Sequence, residues 1–254
     1  MKDKRWRVLM FQSIFVLVMV LGFCMIIPHT QKNSVKEKVY ADDYSEDMHD
    51  AQSEEAVRAK RYRGTIVIDA GHGGVDEGAS VGRGRYREKD YNLIVVKRLK
   101  KLLDRTGFDV HYTRLEDKTV SKKRRTDIAN NLKADLFISI HCNAAERGNT
   151  TAYGVEALYS DRKFKYGFCS SKKLAGLLVN NVSEKVHNKK RGVIKREHLY
   201  LLRHSDVAVS IIEIGYMSNK SDLNYIKDKE EQKKIAEGIY ESIVDAYALN
   251  GGIR

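Results

Sequence analysis

From position 65 onward, short apolar runs rich in valine and isoleucine alternate with longer segments whose apolar residues recur at helical spacing. This alternation constrains the fold more than any other feature. A strand followed by a helix, repeated, buries both faces of a mostly parallel sheet. The period-two or continuously apolar segments predict strands over 65–70, 108–113, 136–141, 154–159, 199–202 and 207–214. Helical spacing predicts helices over 88–103, 121–132, 170–187 and 230–249. Gly107 follows the first of these helices as a stop, and Ser121 precedes the second as an N-cap. The expected fold is α/β: a single domain with a central, mainly parallel sheet of about six strands, flanked by helices on both faces. The basic stretch 189–198 reads as a turn bordering the penultimate strand.

Ahead of this domain the composition changes twice. Lys2, Lys4, Arg5 and Arg7 precede a run from Val8 to Ile27 broken only by Gln12, Ser13 and Gly22. Twenty helical residues reach about 30 Å, enough to cross a bilayer, and the basic flank would hold the N-terminus in the cytoplasm. Residues 1–30 are expected to be a membrane anchor or, alternatively, a signal segment with a cleavage-like site at Val39-Tyr40-Ala41. Either reading exports the remainder. Residues 31–62 carry Asp42, Asp43, Glu46, Asp47, Asp50, Glu54 and Glu55 with little to bury. They read as a polar tether with a possible short helix over 51–62. The folded domain is then 63–254.

The net charge of +12 suits attraction to anionic matter. The basic residues are scattered over expected helix faces and turns, however. No zinc-finger spacing, RNA-binding aromatic signature or helix-turn-helix pattern accompanies them, so nucleic acid is not an expected partner. Three cysteines, Cys24, Cys142 and Cys169, form no disulfide framework. Cys142 stands beside His141, but strand alternation points it to the opposite face, as a small buried hydrophobe.

Four residues stand out chemically. His72 follows the first strand among Gly71, Gly73, Gly74 and Gly78. The spacing fits neither a dinucleotide nor a Walker loop, and Asp76 and Glu77 would repel phosphate. Glu88 opens a helix, where an acid is also explained by the helix dipole. His141 ends the apolar strand 136–141, which places it at the same sheet rim as His72 if the two strands are parallel. Glu213 interrupts the apolar run 207–214. Burying an unpaired carboxylate is costly, so this residue requires a partner, a metal or a function. Two histidines and a glutamate make the His₂Glu donor set of catalytic zinc sites, and a further unligated glutamate supplies general acid–base chemistry. Neither a His-Glu-x-x-His helix nor a Gly-x-Ser-x-Gly elbow occurs.

The segments IDAGHGG (68–74), REKD (87–90), SIHCNA (139–144) and IEIGYMSN (212–219), in this order, resemble the zinc-dependent N-acetylmuramoyl-L-alanine amidases of the Amidase_3 family. The likeness covers nearly all of 65–248. It implies one zinc ion held by His72, Glu88 and His141, with Glu213 as catalytic acid/base. It also implies cleavage of the amide joining N-acetylmuramic acid to L-alanine in peptidoglycan. The short layout is similar to the germination-specific, CwlD-like branch of endospore formers, which implies action on spore cortex on the way to muramic δ-lactam. Cell-division relatives carry a plugging helix after the second histidine. Residues 145–154 are too short and polar for one here, so control would fall to an outside accessory protein. Asn143, Arg196, Leu199 and Arg203 are the expected substrate contacts, with a free stem-peptide carboxylate as the partner of Arg196. A related zinc peptidase or deacetylase, or a non-catalytic peptidoglycan-binding module, are the alternative readings.

Overall fold

The structure, a computed structural model, describes residues 63–146 and 149–250. The expected anchor and tether, at 1–30 and 31–62, lie outside the described residues. Among the described residues, eight strands and six helices are formed. They are β1 (Thr65–Ala70), β2 (Ser80–Val81), β3 (Tyr86–Arg87), α1 (Glu88–Leu103), β4 (Asp109–Tyr112), α2 (Lys122–Asn131) and β5 (Leu136–Asn143). There follow β6 (Val155–Tyr159), α3 (Ser171–Lys185), β7 (Lys190–Lys195), α4 (Tyr200–His204), β8 (Val209–Tyr216), α5 (Lys220–Lys227) and α6 (Lys229–Ala248).

Six strands form one sheet in the order β4-β1-β5-β8-β6-β7, and β2 and β3 pair separately as a small antiparallel ribbon. The β4–β1, β1–β5 and β5–β8 pairs are parallel. Strand β6 runs antiparallel to β8, and β7 runs parallel to β6. The sheet is therefore mostly parallel, as expected, with its last two strands reversed.

The two faces are covered unequally, and this places the site. On one face the apolar residues Ile66, Ile68, Ile138, Ile140, Ile212 and Ile214 pack under α1, α3 and α6, forming the main core. On the other, Val67, Phe137, Val209 and Ile211 pack under the shorter helices α2 and α4. Strand alternation extends this second row towards the C-terminal ends of β1, β5 and β8, where Asp69, Ser139, His141 and Glu213 continue it. The short helices leave these polar ends partly open.

Two expectations are corrected. Residues 199–202 form no strand: Leu199 is the N-cap of helix α4. An apolar run of this length reads the same whether it is a buried strand or one turn of buried helix, and Leu201 and Leu202 bury on the thinner face as a helix. The basic stretch 189–198 is largely strand β7 rather than a turn. Its lysines and arginine hide an edge strand from periodicity, because charged side chains protect an exposed sheet edge. Strand β8 also runs two residues beyond 214, and the short helix α5 precedes the closing helix. Ser121 and Ser170 cap α2 and α3 through their hydroxyls, which accept from Arg124 N (3.1 Å) and Lys173 N (3.2 Å). Among the described residues of 145–154 there is no helix.

The fully buried Asp222 of α5 ties the end of β8 to the segments that lead into β6 and β7. Its carboxylate accepts from Gly154 N (2.8 Å), Tyr216 N (2.8 Å) and Asn188 Nδ2 (3.0 Å). Asp222→Ala leaves two buried backbone donors and the half-buried Asn188 amide without an acceptor. It should lower unfolding free energy by at least about 2 kcal/mol in urea titrations, and a loss within a few tenths of a kcal/mol would remove this residue from the scaffold.

Candidate metal centre and cleft

Strand β1 ends at Ala70, and the chain then turns through Gly71 into His72, whose φ of 61° is left-handed. Such a conformation costs an L-residue of order 1–3 kcal/mol and persists only where the surroundings enforce it. Glu88 is the first residue of α1, aimed back at this turn. His141 lies on β5, which is parallel to and adjacent to β1. The three residues converge: one ligand atom from each lies within 4.8 Å of the others. Glu88 Oε1 lies 3.1 Å from His72 Nε2 and 2.8 Å from His141 Nδ1. The other nitrogen of His72, Nδ1, lies 2.9 Å from Asp76 Oδ1. A ring that faces a donor cluster with one nitrogen and a carboxylate with the other is the arrangement that orients a histidine ligand.

Close approach requires two glycines. A Cβ at Gly71 would run into the His141 ring, and one at Gly78, itself at φ 65°, would lie 2.6 Å from His72 Cδ2. Glu88 is buried, and its carboxylate also accepts from Cys142 N (3.1 Å), Asn92 Nδ2 (3.2 Å) and Ala79 N (2.8 Å). Burial opposes its charge, but the hydrogen bonds of His141 and His72 and their attraction hold its carboxyl far below the usual carboxylate range. Burial likewise opposes charge on His141, yet Glu88 raises it to about 9. The cluster thus draws positive charge into its centre. A two-nitrogen, one-oxygen donor set with this preference fits a divalent cation of the zinc class.

Glu213, on β8, is the cross-strand neighbour of His141 on β5 and of Glu156 on β6. The half-buried side chain keeps Oε2 buried with no protein hydrogen-bond partner. Burial pushes its carboxyl up to about 7; His141 pulls the other way, while Glu88 and Glu156 add to the rise. A buried carboxylate that titrates near neutrality beside a cation-attracting cluster has the properties of a general acid or base.

A cleft of about 260 Å³ opens onto these groups. It is lined by the polar groups His72, Asp76, His141 and Glu213 and by the apolar Leu158, Leu199, Leu201 and Ile211, with Tyr200 among them. Of the expected substrate contacts, only Leu199 lines it. Asn143 donates its amide to Glu156 Oε1 (2.8 Å). Arg196 and Arg203 are exposed and outside the cleft lining, and Arg196 bonds the carbonyl of Lys195 (3.1 Å). Cys142 is buried against Asn92, and burial pushes its thiol well above the usual range, which leaves no nucleophile there.

Sequence reasoning passed over Asp69 and Arg125. Asp69 is fully buried, accepts from Thr113 Oγ1 (2.5 Å) and Ser139 Oγ (2.6 Å), and pairs with Arg125 Nη1. The signal was present: Asp69 interrupts an apolar strand just as Glu213 does.

The chain matches the model of the Amidase_3 family, described as N-acetylmuramoyl-L-alanine amidase, over residues 66–245. The chain belongs to this family. It is 35% identical over 180 residues to a protein of Staphylococcus epidermidis named probable cell wall amidase LytH. That alignment covers 70% of this chain and 57% of the relative, so the chain spans little more than half of that protein. Among solved structures, the N-acetylmuramoyl-L-alanine amidase from Clostridium difficile 630 superposes with a TM-score of 0.66 at 33% identity, covering 73% of this chain and 96% of that one. The CwlD amidase of Clostridioides difficile, solved in complex with the GerS lipoprotein, gives 0.66 at 31% identity, covering 73% and 99%.

Asp69→Ala leaves the Arg125 guanidinium buried without its counter-charge and should cost about 3–5 kcal/mol at neutral pH in denaturant titrations. Burial opposes the charge of Asp69, but Arg125, Ser139 and Thr113 hold it below the ordinary value of 3.8. Its contribution is therefore complete above that value and fades as pH falls through the lower native one. The gap between wild type and variant should hold at neutral pH and close only under acid conditions; a gap that instead widens towards acid would contradict the ion pair.

Proposed function

We propose that this protein is a zinc-dependent hydrolase of peptidoglycan that cleaves the amide between N-acetylmuramic acid and L-alanine. Family membership supports the reaction class. The observation that carries the residue roles is the convergence of His72, Glu88 and His141 beside a carboxylate, Glu213, whose Oε2 has no partner. The first three would hold the ion, and Glu213 would move the proton. Bound zinc would supply Lewis acidity that polarises the amide carbonyl and acidifies water.

The chain's own residues do the rest. The substrate enters the cleft with its carbonyl towards the cluster and its apolar surface against Leu158, Leu199 and Ile211. Glu213, ionised, takes the proton as water adds to the carbonyl carbon. Protonated Glu213 then delivers that proton to the alanine nitrogen as the C–N bond breaks, and the remaining hydroxyl proton passes to the released amine, leaving a lactyl carboxylate and a peptide ammonium group. Asp76 keeps the His72 ring turned towards the cluster.

The finer reading is action outside the cytoplasm on spore cortex peptidoglycan, with the apolar segment 8–27 as anchor or export signal. It rests on that segment's composition and on the likeness to CwlD. The presence of a lipoprotein in the CwlD complex supports an accessory partner here too. Among the described residues, no helix is long and apolar enough to cross a membrane.

Purified protein incubated with peptidoglycan should release peptides with free N-terminal L-alanine, read by mass mapping of the products. Chelation should stop the release, and added zinc should restore it. Glu213→Gln should keep bound zinc but lower kcat by about 10²–10⁴-fold, and unchanged turnover would remove Glu213 from the reaction. Because Glu213 works as a base when ionised, activity should rise with pH along an acid limb. Its carboxyl sits at about 7 in the cation-free protein, and a nearby dication lowers that midpoint. A rate that climbs towards acid instead would assign Glu213 a different role.

A further inference from the structure

Two arginines of the segment joining β4 to α2 and of α2 itself, Arg114 and Arg125, are almost completely buried. Buried arginines are rare unless each donor is satisfied. Arg125 pairs with Asp69, but the ion pair accounts for only part of its guanidinium. Nε bonds Val120 O (3.1 Å), Nη1 also bonds Ala70 O (2.8 Å) and Nη2 bonds His72 O (2.7 Å). Arg114 Nε bonds Ala70 O (2.9 Å), and its Nη2 bonds Gly71 O (2.8 Å) and Lys89 O (2.9 Å). Three successive carbonyls, of residues 70, 71 and 72, therefore end on the two guanidinium groups.

These bonds bracket one residue. The Gly71 carbonyl belongs to the peptide plane before His72, and Arg114 holds it; Asn92 Nδ2 adds a second bond at 3.2 Å. The His72 carbonyl belongs to the plane after it, and Arg125 holds it. Fixing both planes fixes φ and ψ of His72, and these set the direction of its Cα–Cβ bond. This is the residue held at φ 61°. Arg114 also grips the carbonyl of Lys89, next to Glu88, so one guanidinium spans the backbones that carry two of the three cluster residues.

We infer that Arg114 and Arg125 are positioning residues for the cation site, acting through the backbone carbonyls that hold His72 in its left-handed conformation. The inference rests on the zinc reading above. The fork is essential: lysine keeps the charge that answers Asp69 but cannot reach several carbonyls in fixed directions. Neither arginine contacts a ligand atom of the cluster in the hydrogen bonds described, so the effect passes through the main chain.

The test measures Zn²⁺ binding to the full chain by competition with a chromogenic chelator, with Co²⁺ as a spectroscopic stand-in. The variants are Arg125→Lys and Arg114→Lys. The control is Leu178→Ala, a fully buried core truncation in α3 that lowers stability on the opposite face. Thermal melts of each metal-free protein accompany the binding data. Zinc affinity should fall about 10- to 100-fold in either arginine variant, and the visible band of the Co²⁺ form should shift. Leu178→Ala should melt earlier yet bind zinc as wild type does. Wild-type affinity and an unchanged Co²⁺ spectrum in both arginine variants would overturn the inference. An equal loss of affinity in Leu178→Ala would do so too, by reducing the effect to stability. If one arginine variant does not fold, the other decides. Failure of the wild type to bind zinc at all would instead refute the metal reading, and this inference with it.

Discussion

The pairing of Asp69 with Arg125 is the interaction on which the rest of the site depends. A carboxylate with no exposure, at the penultimate position of the first strand, is tolerable only because a guanidinium and two hydroxyls meet it. That pairing fastens α2 to the end of β1. It also brings the remaining donors of Arg125 against the turn that follows. The turn then carries a histidine in a conformation that a free chain would seldom adopt. Stability and chemistry meet in this one contact, since the bonds that anchor the fold also aim the imidazole.

The unequal faces of the sheet explain where the chemistry sits. Three long helices seal one face, where the alternating side chains of the strands are almost all apolar. On the other face, α2 and α4 have ten and five residues. They cover Val67, Phe137 and Ile211 but leave the next polar row open. Two carboxylates, Glu213 and Glu156, are neighbours in that row. Glu156 is paired with Arg191 Nε (2.6 Å) and accepts from Tyr216 Oη and Asn143 Nδ2, whereas Glu213 Oε2 has no such partner. Partnering separates a structural acid from a reactive one, although both occupy equivalent positions on the sheet.

Much of this was legible in the linear chain. Strand and helix periods gave the order of most elements, because side-chain direction repeats every two or 3.6 residues whatever the neighbours do. Glu213 was visible because charge within an apolar run needs compensation, His72 and His141 because each closes an apolar strand, and Glu88 only through the motif that contains it. Three things were hidden. The strand β7 carries charges suited to an edge, so it reads as a loop. The helix α4 has five residues, two of them leucines, and is too short for any period to declare itself. Arg125 looks like any other base on a helix, since nothing local distinguishes a solvated arginine from a buried one.

The sequence by itself determined the fold class, the strand ends that bear His72 and His141, and the oddity of Glu213, since these follow from local periodicity and the cost of burying charge. Only the tertiary structure decided which face of the sheet stays open, which carboxylates find partners and how the turn at His72 is held. These depend on contacts between residues dozens of positions apart, such as Asp69 with Arg125 and Glu88 with His141. No short-range pattern encodes such pairs, because the energy that fixes them exists only once the sheet has brought their strands and helices together.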